Sequence, residues 1–259
     1  MKPFVTANIV GPVDALPGIG NQLFQIAAVL SYSKDHGHTA IFPCLKEPSY
    51  GGYVNNFLSK LNTTHEILKD TLCVTEPSFA FTPLPYSPYN VCIVNSYLQS
   101  EKYFKHNREL IMEYFRLPEE DLKYLLDKYG NLDSTTSVHI RRGDYLDNPN
   151  YHTVLSDTTY YRDALDLLNP EKVLVFSDDL VWAKNNFPNF TVVEEDKDYL
   201  EIFLMAMCKD NIIANSTFSW WGAWLNENPN KRVIAPNNWF GSLCNLDVKD
   251  LLPSDWIKI

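Results

Sequence analysis

The feature that most constrains the fold is a regular alternation of short apolar runs with segments of helical length after residue 136. The apolar runs read SVHIR, KVLVF, FTVVE, NIIA and RVIAP. The segments between them read TTYYRDALDLL, DLVWAKNNF, YLEIFLMAMCK and STFSWWGAWL. Strands that alternate with helices of this length form a parallel sheet with helices on its faces. We therefore predict an α/β fold with a parallel sheet in the C-terminal half, in which RVIAP is the last strand.

The N-terminal half carries a less regular version of this pattern. FVTANIV (4–10) and TAIFP (39–43) predict strands, and the segment GNQLFQIAAVLSYSKDHG between them predicts a helix that Gly37 ends. Residues 44–90 are rich in Pro, Tyr, Asn and Ser, which predicts long loops. The looser pattern indicates a separate α/β domain in this half of the chain.

The boundary between the two domains is expected near residues 131–136. VCIVNSYLQ (91–99) predicts a strand that runs into a loop, and PEEDLKYLLDKYG (118–130) predicts a helix with acidic residues in its first turn and Gly at its end. The polar segment NLDSTT then separates this helix from the first apolar run of the C-terminal half. We therefore predict domains over residues 1–133 and 134–259.

Composition and charge exclude several classes of protein. The chain has 259 residues, 45% of them apolar, which is enough to bury a sizeable core. Lys and Arg total 22 against 32 Asp and Glu, and the formal net charge of −10 argues against general nucleic-acid binding. No window of ~18 uninterrupted apolar residues occurs, so no membrane span is expected. The five cysteines form no CxxC motif, and we predict buried reduced thiols in a cytoplasmic protein.

Polar residues follow three of the predicted strands. Arg-Arg-Gly-Asp follows SVHI (141–144), Ser-Asp-Asp follows KVLVF (177–179), and Asn-Ser-Thr-Phe-Ser follows NIIA (215–219). Because parallel strands share a direction, these sets are expected to face one crevice. Arginine binds phosphate oxygens with a planar fork, a helix start with hydroxyl groups binds anions, and an aspartate can accept from guanine or ribose. Together the sets predict a pocket for a nucleoside diphosphate.

Each of these features also has a structural interpretation. Adjacent arginines are often held in ion pairs, one aspartate of the Asp-Asp pair is expected to cap the helix that follows, and Ser216 or Thr217 can cap the next helix. Trp220 and Trp224 lie four apart on one helical face, which favours core packing over sugar stacking. The tripeptide at 142–144 also matches the RGD adhesion motif, but it follows a core strand directly, whereas adhesion needs an exposed loop tip.

Four sequence blocks together resemble the α-1,2-fucosyltransferases, glycosyltransferase family 11. The blocks are GIGNQLFQIAA (18–28), HIRRGDY (139–145), VFSDDLVWAK (175–184) and NIIANSTFSWWGAWLNENPNKRVIAPNNWF (211–240), and the ending LPSDWIKI is also similar. The resemblance implies a GT-B-like fold of two Rossmann-like domains, with the N-terminal domain on the acceptor side and the C-terminal domain binding a GDP-sugar. It further implies an inverting enzyme that needs no cofactor and no metal. The donor substrate would be GDP-fucose, and L-fucose would pass to the 2-hydroxyl of a terminal galactoside in a glycan.

The same resemblance implies roles for individual residues. Arg141 and Arg142 would clamp the pyrophosphate. The next two residues are assigned from their own chemistry rather than from the resemblance: Gly143 lets the backbone turn tightly, and Asp144, the nearest carboxylate in sequence, either serves as the base or orients an arginine. The residues expected near the donor are His139, Asp178, Asp179, Asn215, Ser216, Thr217 and Phe218, with Gly20, Asn21 and Gln22 from the other domain.

Two departures from the family pattern bear on the expected function. GPVDALP (11–17) intervenes between the first strand and the Gly-Ile-Gly-Asn-Gln turn, so a longer loop and a different acceptor entrance are expected. The membrane anchor of animal members is missing, which suits a cytoplasmic enzyme of bacterial or viral type. Two alternatives stay open: a transferase that uses another GDP-sugar or acceptor, and a lectin-like protein that holds glycans with its tryptophans. The sequence predicts neither the acceptor nor the oligomeric state.

Overall fold

The computed structural model describes residues 2–8, 18–44 and 49–259. Within these residues the chain forms eight α-helices and twelve β-strands. The helices are α1 (Ile19–His36), α2 (Arg108–Tyr114), α3 (Glu119–Tyr129), α4 (Gly143–Asp147), α5 (Tyr160–Leu168), α6 (Leu180–Asn186), α7 (Asp198–Met207) and α8 (Thr217–Leu225). The strands are β1 (Phe4–Ala7), β2 (Thr39–Ala40), β3 (Phe42–Pro43), β4 (Thr63–Thr64), β5 (Leu72–Val74), β6 (Val91–Ile93), β7 (Thr135–Ile140), β8 (Lys172–Ser177), β9 (Thr191–Val192), β10 (Asp210–Ile212), β11 (Val233–Ala235) and β12 (Ile257–Lys258).

The chain divides into two compact units. The first contains Met1–Pro118 and Asp247–Pro253, and the second contains Glu119–Leu246 and Ser254–Ile259. The division at 118/119 precedes the position at 133/134 that the sequence pattern predicts, because α3 packs on the second unit. Glu195 of that unit accepts from Lys128 Nζ at 2.7 Å and from the Tyr129 hydroxyl at 2.6 Å.

The first unit is built on a four-stranded parallel sheet with strand order β2-β1-β6-β5. α1 packs against β1 and β2, and its residues from Ile19 to Tyr32 are all buried except Asn21. A helix that is apolar all round lies in a core rather than on a surface. The helix ends where Gly37 adopts a left-handed conformation at φ +71°, which a residue without Cβ reaches without strain. The predicted helix and its stop at Gly37 are therefore confirmed.

The strands of the first unit differ from the sequence prediction in two places. The run 39–43, predicted as one strand, forms β2 and β3 in two different sheets: the Ile41 N–H donates to Val5, whereas the Phe42 N–H donates to Asn62. Segment 44–90, predicted as loops, supplies β4 and β5 in its described residues. The predicted first strand is observed as β1, and its last two positions, with the GPVDALP loop, lie outside the described residues.

The second unit contains a six-stranded parallel sheet with strand order β12-β11-β10-β7-β8-β9. Val138 and Ile140 of β7 pack with Ala164 of α5 and Ala183 of α6 on one face. α8 lies on the other face, where it contacts His139, and α7 packs against α8. This alternation follows from strand geometry, since successive side chains of a strand point to opposite faces. The predicted α/β fold with a parallel sheet in this half is confirmed.

The end of the chain contributes to both units. Asp250 accepts from the Phe81 N–H at 3.1 Å and lies 2.5 Å from Lys102 Nζ, which attaches residues 247–253 to the first unit. β12 then pairs with β11 in the second unit. The prediction that RVIAP is the last strand is therefore wrong, because β12 follows it at the edge of the sheet.

Two further expectations from composition can be compared with the structure. All five cysteines are free, but only Cys44 and Cys208 are buried and Cys73 is exposed, so the prediction of general burial is wrong. The helices in the described part of the chain are all too short or too polar to cross a membrane.

Candidate functional site

The carboxyl edge of the second sheet is where the three polar sets meet. β7 and β10 are hydrogen-bonded neighbours although β8 and β9 come between them in the chain, so the strand order reverses at this point. Open α/β sheets bind ligands at such a switch point, outside the carboxyl ends of the strands. The Arg142 N–H donates to Asp178 Oδ1 at 2.9 Å, and the Tyr145 hydroxyl donates to the Asn215 carbonyl at 2.8 Å. The loops that follow β7, β8 and β10 are therefore in contact.

Arg142 is held on several sides. Its Nε donates to Asp179 Oδ2 at 3.2 Å, and its Nη1 donates to Ser156 Oγ at 2.5 Å and lies 3.8 Å from Asp157 Oδ1. Its guanidinium carbon lies over the Trp182 ring, 4.3 Å from the centroid, in a favourable cation–π arrangement. Only 12% of the side chain is exposed. No described residue accepts from Nη2, so the N–H donors of this nitrogen are not engaged within the described part of the chain.

Arg141 lies between two carboxylates. Its Nη2 donates to Asp144 Oδ1 at 2.6 Å, and its Nη1 lies 3.1 Å from Asp178 Oδ2. The side chain is 35% exposed and that of Asp144 is 60% exposed. Asp144 therefore orients the arginine, which is one of the two roles expected of it. Because water screens such an exposed ion pair, a competing anion can replace Asp144 at little cost.

The two aspartates that follow β8 have separate structural tasks. Asp179 caps α6, since its Oδ1 accepts from the Trp182 N–H at 3.0 Å, and its Oδ2 accepts from Arg142. Asp178 binds the backbone of Arg142 through Oδ1 and the guanidinium group of Arg141 through Oδ2. The expectation that one of the pair caps a helix is confirmed for Asp179. All four oxygens have partners within the protein, and a contact of either residue with a nucleoside stays a prediction.

Gly143 is needed here for a reason that differs from the expected one. Its backbone is not in the left-handed region. A Cβ at this position would instead lie 2.5 Å from Asp178 Oδ2, far inside van der Waals contact. The glycine therefore permits the close approach of Asp178 to the backbone after β7, rather than an unusual turn.

His139 is a buried and neutral side chain on β7. Its Nδ1 lies 2.8 Å from Ser219 Oγ, and its ring centroid lies 5.4 Å from that of Phe218. Burial, with a smaller contribution from the positive charge of Arg141, lowers the pKa of His139 to about 3. The side chain is uncharged near neutral pH, and its contact with Ser219 fixes the first turn of α8 beside β7.

The first turn of α8 offers backbone donors at the same edge. Ser216 is the N-cap, and its side chain accepts from the Phe218 N–H at 3.3 Å, which confirms that interpretation. Thr217 is the first residue of the helix. The first N–H groups of a helix have no partner within it and, together with the helix dipole, favour anions.

Asn215 ties the surrounding loops together. Its Nδ2 donates to the carbonyl oxygens of Thr153 at 2.9 Å and Trp239 at 2.8 Å. Its buried Oδ1 accepts no hydrogen bond from the residues that the structure describes. In this structure the amide positions the loop before α8, and direct contact with a donor stays a prediction.

Gly20, Asn21 and Gln22 lie in the first unit, near the N-terminus of α1. Gly20 and Gln22 are buried, and Asn21 Oδ1 accepts from Gln99 Nε2 at 2.9 Å. The structure therefore assigns these three to a different unit from the other predicted site residues. Their expected approach to the donor stays a prediction.

Sequence reasoning missed four side chains at the edge of the second sheet. Trp182 and Ser156 hold Arg142, and the ring of His152 stacks on that of Tyr145 at 4.0 Å between centroids and 6° between planes. Tyr145 and Trp182 lie inside blocks that carry the family resemblance, which is a signal that could have found them. Ser156 and His152 lie in a stretch without a motif, so only the structure brings them to the site.

The tryptophans and the RGD tripeptide, which suggested a lectin-like and an adhesion function, lie in the core and at the start of a helix. Trp220 and Trp224 are buried, and Trp221 beside them is too, which confirms core packing. Buried rings cannot contact a glycan, so these tryptophans do not support the lectin-like alternative. The RGD tripeptide (142–144) runs into α4 with a mostly buried arginine, so the exposed loop tip that adhesion needs is not formed there.

The fold is shared with a fucosyltransferase of known structure. NodZ from Bradyrhizobium superposes with a TM-score of 0.53 over 86% of this chain and 92% of that one, at 14% sequence identity. NodZ α-1,6-fucosyltransferase co-crystallised with GDP gives a TM-score of 0.53 over 87% and 93% of the two chains. At this identity the likeness is one of fold alone, and the chain has an α/β fold of the GT-B type.

Sequence relatives point to one kind of enzyme. An Escherichia coli protein named α-1,2-colitosyltransferase is 30% identical over 93% of this chain and 96% of its own length. The E. coli O-antigen biosynthesis glycosyltransferase WbnK is 41% identical, over 56% of this chain and about half (54%) of that protein. A galactoside 2-α-L-fucosyltransferase of Caenorhabditis elegans is 26% identical over 82% of this chain and 67% of that protein.

The family assignment rests on almost the whole chain. The family model for "Glycosyl transferase family 11" matches residues 19–259, which include α1, both arginines at the end of β7 and the start of α8. The colitosyltransferase and fucosyltransferase relatives agree with this match. The chain therefore belongs to glycosyltransferase family 11, the family of the α-1,2-fucosyltransferases.

Proposed function

We propose that this enzyme transfers L-fucose from GDP-fucose to the 2-hydroxyl of a terminal galactoside, with inversion and without a metal ion. The observation that carries the proposal is the pair of guanidinium groups at the end of β7. Both are held in place by ion pairs, beside the first turn of α8 at the switch point of the sheet. Membership of family 11 and the names of the relatives support the sugar and the linkage.

The arginines fit the departure of a nucleotide. When the bond between the sugar and the diphosphate breaks, negative charge develops on the β-phosphate. Donors that are already oriented stabilise this charge without reorganising, which is usually the largest single contribution to such a reaction. The free Nη2 edge of Arg142 and the exchangeable Arg141 would serve as these donors. Two positive charges at the end of β7 can thereby do what a divalent cation does in other transferases.

The first turn of α8 would supply a second set of donors. The positive end of its dipole favours phosphate oxygens, and a phosphate oxygen would compete with the Ser216 hydroxyl for the Phe218 N–H. His139 is neutral and adds no charge of its own, so its part would be to hold this turn against β7. Attack of the acceptor hydroxyl from the side opposite the leaving GDP inverts the anomeric carbon.

The test uses the purified chain with a panel of GDP-sugars and β-galactosides in the presence of EDTA. We expect release of GDP only with GDP-fucose or a close analogue and a β-galactoside, and NMR of the product should show an α-1,2 linkage. Loss of activity in EDTA that Mg²⁺ or Mn²⁺ restores would contradict the metal-free reaction. A different linkage, or no transfer from any GDP-sugar, would overturn the proposal.

A second candidate donor is supported by the relative that matches nearly the full length of both chains. That protein is named an α-1,2-colitosyltransferase. Colitose is L-fucose without its 3-hydroxyl, so the two donors differ by one hydrogen-bonding group. A site that binds this hydroxyl with buried partners rejects the deoxy analogue by about 10⁴-fold, whereas an apolar site discriminates only weakly. Competition between GDP-fucose and GDP-colitose, measured as a ratio of kcat/KM, distinguishes the two.

A further inference from the structure

The transfer reaction requires a group that takes the proton of the acceptor hydroxyl, and the carboxylates at the site are already engaged. Both oxygens of Asp178 and both of Asp179 face arginines or backbone N–H groups. Asp144 accepts from Arg141 at 2.6 Å. A carboxylate that neutralises a guanidinium group gives up that pairing when it takes a proton, so Asp178 and Asp179 are poor bases while they hold the arginines. Asp144 is the competing candidate, because a phosphate oxygen on Arg141 would release it.

His152 lies one aromatic ring away from Arg141. Its imidazole stacks on the Tyr145 ring at 4.0 Å with an interplanar angle of 6°, and the guanidinium carbon of Arg141 lies 5.6 Å from the centroid of the same ring. The Tyr151 ring meets the imidazole edge-on at 4.9 Å. The backbone of His152 forms an isolated bridge with Phe240. These contacts fix the ring at the edge of the sheet where the donor is expected.

The imidazole is in the right state to accept a proton. No described residue hydrogen-bonds to either ring nitrogen, and the side chain is only partly buried. Partial burial, aided by the positive charge of Arg141 and opposed by Asp144, lowers the pKa of His152 from its usual value of 6.5. Two tyrosines pack against the ring, Tyr145 and Tyr151, and burial raises the pKa of the Tyr145 hydroxyl, so it carries no charge near neutral pH. The ring is therefore neutral at pH 7 with a lone pair available.

The other histidine of the second unit close to the arginines cannot play this part. His139 is fully buried, its Nδ1 is engaged with Ser219, and its pKa of about 3 makes it too weak a base. The contrast between the two rings follows from their positions: His139 points from β7 into the packing with α8, whereas His152 lies on the loop after α4.

We propose that His152 is the general base of the transfer, an inference that rests on the proposed function. The imidazole nitrogen takes the proton of the acceptor 2-hydroxyl as its oxygen forms a bond to the anomeric carbon. The bond from that carbon to the β-phosphate oxygen breaks, and the electron pair leaves with GDP. The proton then passes from the imidazolium group to solvent. Atoms and charges balance without any further reactant.

The test compares His152→Phe, which keeps an aromatic ring against Tyr145, with His36→Phe as the matched control. His36 also packs against a tyrosine, meeting the ring of Tyr32 edge-on at 4.3 Å, but it is the last residue of α1 in the first unit. We expect His152→Phe to lower kcat by ~100-fold or more while the KM for the GDP-sugar changes by less than about twofold. His36→Phe should leave both constants unchanged.

The pH profile separates a base from a merely structural side chain. Because the neutral ring is the active form and its pKa is lowered in the free protein, wild-type kcat/KM should fall only below pH 6.5, and this acidic limb should vanish in the variant. Added imidazole should partly restore His152→Ala. Given transfer by wild type, three results for His152→Phe would overturn the inference: a kcat within about threefold of wild type, an acidic limb that persists, or a defect mainly in the KM for the donor. Failure of imidazole to rescue His152→Ala would overturn it as well. Absence of transfer by wild type would instead remove the proposed function itself.

Discussion

Arg142→Lys keeps the positive charge at the end of β7 and removes the planar fork. In the structure the guanidinium group meets Asp179 through Nε, Ser156 through Nη1 and the Trp182 ring through its face. A lysine ammonium is a point charge on a flexible stem and cannot satisfy these three directions together. The variant therefore tests whether geometry, rather than charge alone, supports the proposed departure of GDP.

The expected magnitude follows from the contacts that are lost. Removal of one oriented donor to a developing oxyanion typically costs about 3 kcal/mol, or ~100-fold in rate. Loss of hydrogen bonds from this mostly buried group would also lower the free energy of unfolding by about 1–3 kcal/mol. We therefore expect kcat of Arg142→Lys to fall by ~100-fold, with a modest decrease in melting temperature and no loss of the fold.

The assay measures GDP release at saturating donor and acceptor, with Arg162→Lys as the control. Arg162 carries the same substitution on the exposed surface of α5, where 68% of its side chain is accessible and it pairs with Asp163 at 3.0 Å. The control should match wild type in both rate and stability. If Arg142→Lys turns over within about threefold of wild type while folded by circular dichroism, the argument from preorganised geometry is wrong.

Two further predictions concern packing and exposure. The buried Tyr160 hydroxyl lies 2.7 and 3.1 Å from the carbonyl oxygens of Ile213 and Ile234, so Tyr160→Phe should lower the free energy of unfolding by about 1–3 kcal/mol in urea melts. The same change at the exposed Tyr89 should have no effect, and equal losses would contradict this account. Cys73 is exposed, whereas burial raises the pKa of the Cys208 thiol. Iodoacetamide followed by peptide mass spectrometry should therefore label Cys73 long before Cys208, and the reverse order would be contrary to the structure.

The long apolar runs of the second unit were readable from the sequence because their strands are buried on both faces. KVLVF corresponds to β8, and SVHIR falls within one or two residues of β7. Strands of two or three residues left no such signal: β5 pairs with β6 through three residues, and β12 with β11 through two. Their positions depend on which neighbour the backbone meets, as the change of partner between Ile41 and Phe42 shows.

The sequence predicted most of the residues at the candidate site, but not the contacts that each of them makes. The sequence predicted that one aspartate of the pair caps α6, yet only the backbone geometry shows that it is Asp179, three residues before the N–H group of Trp182. The steric demand on Gly143 comes from Asp178, which is 35 positions away in the chain. His152 has no motif around it, and its place beside Tyr145 follows from the path of the loop after α4.

The charges at the end of β7 connect the stability of the site with the proposed reaction. Without a nucleotide, Arg141 and Arg142 are balanced by Asp144, Asp178 and Asp179, so the guanidinium groups stay ordered and avoid mutual repulsion. The two arginines differ in how they could respond to a diphosphate. Arg142 is enclosed and would keep its partners, whereas Arg141 would exchange the exposed Asp144 for a phosphate oxygen. Arg142 thus provides a fixed contact for the donor, and Arg141 provides an adjustable one. Once Asp144 is released from Arg141, its negative charge is no longer neutralised. That charge lies near His152 and would favour the protonated imidazole as the acceptor hydroxyl loses its proton.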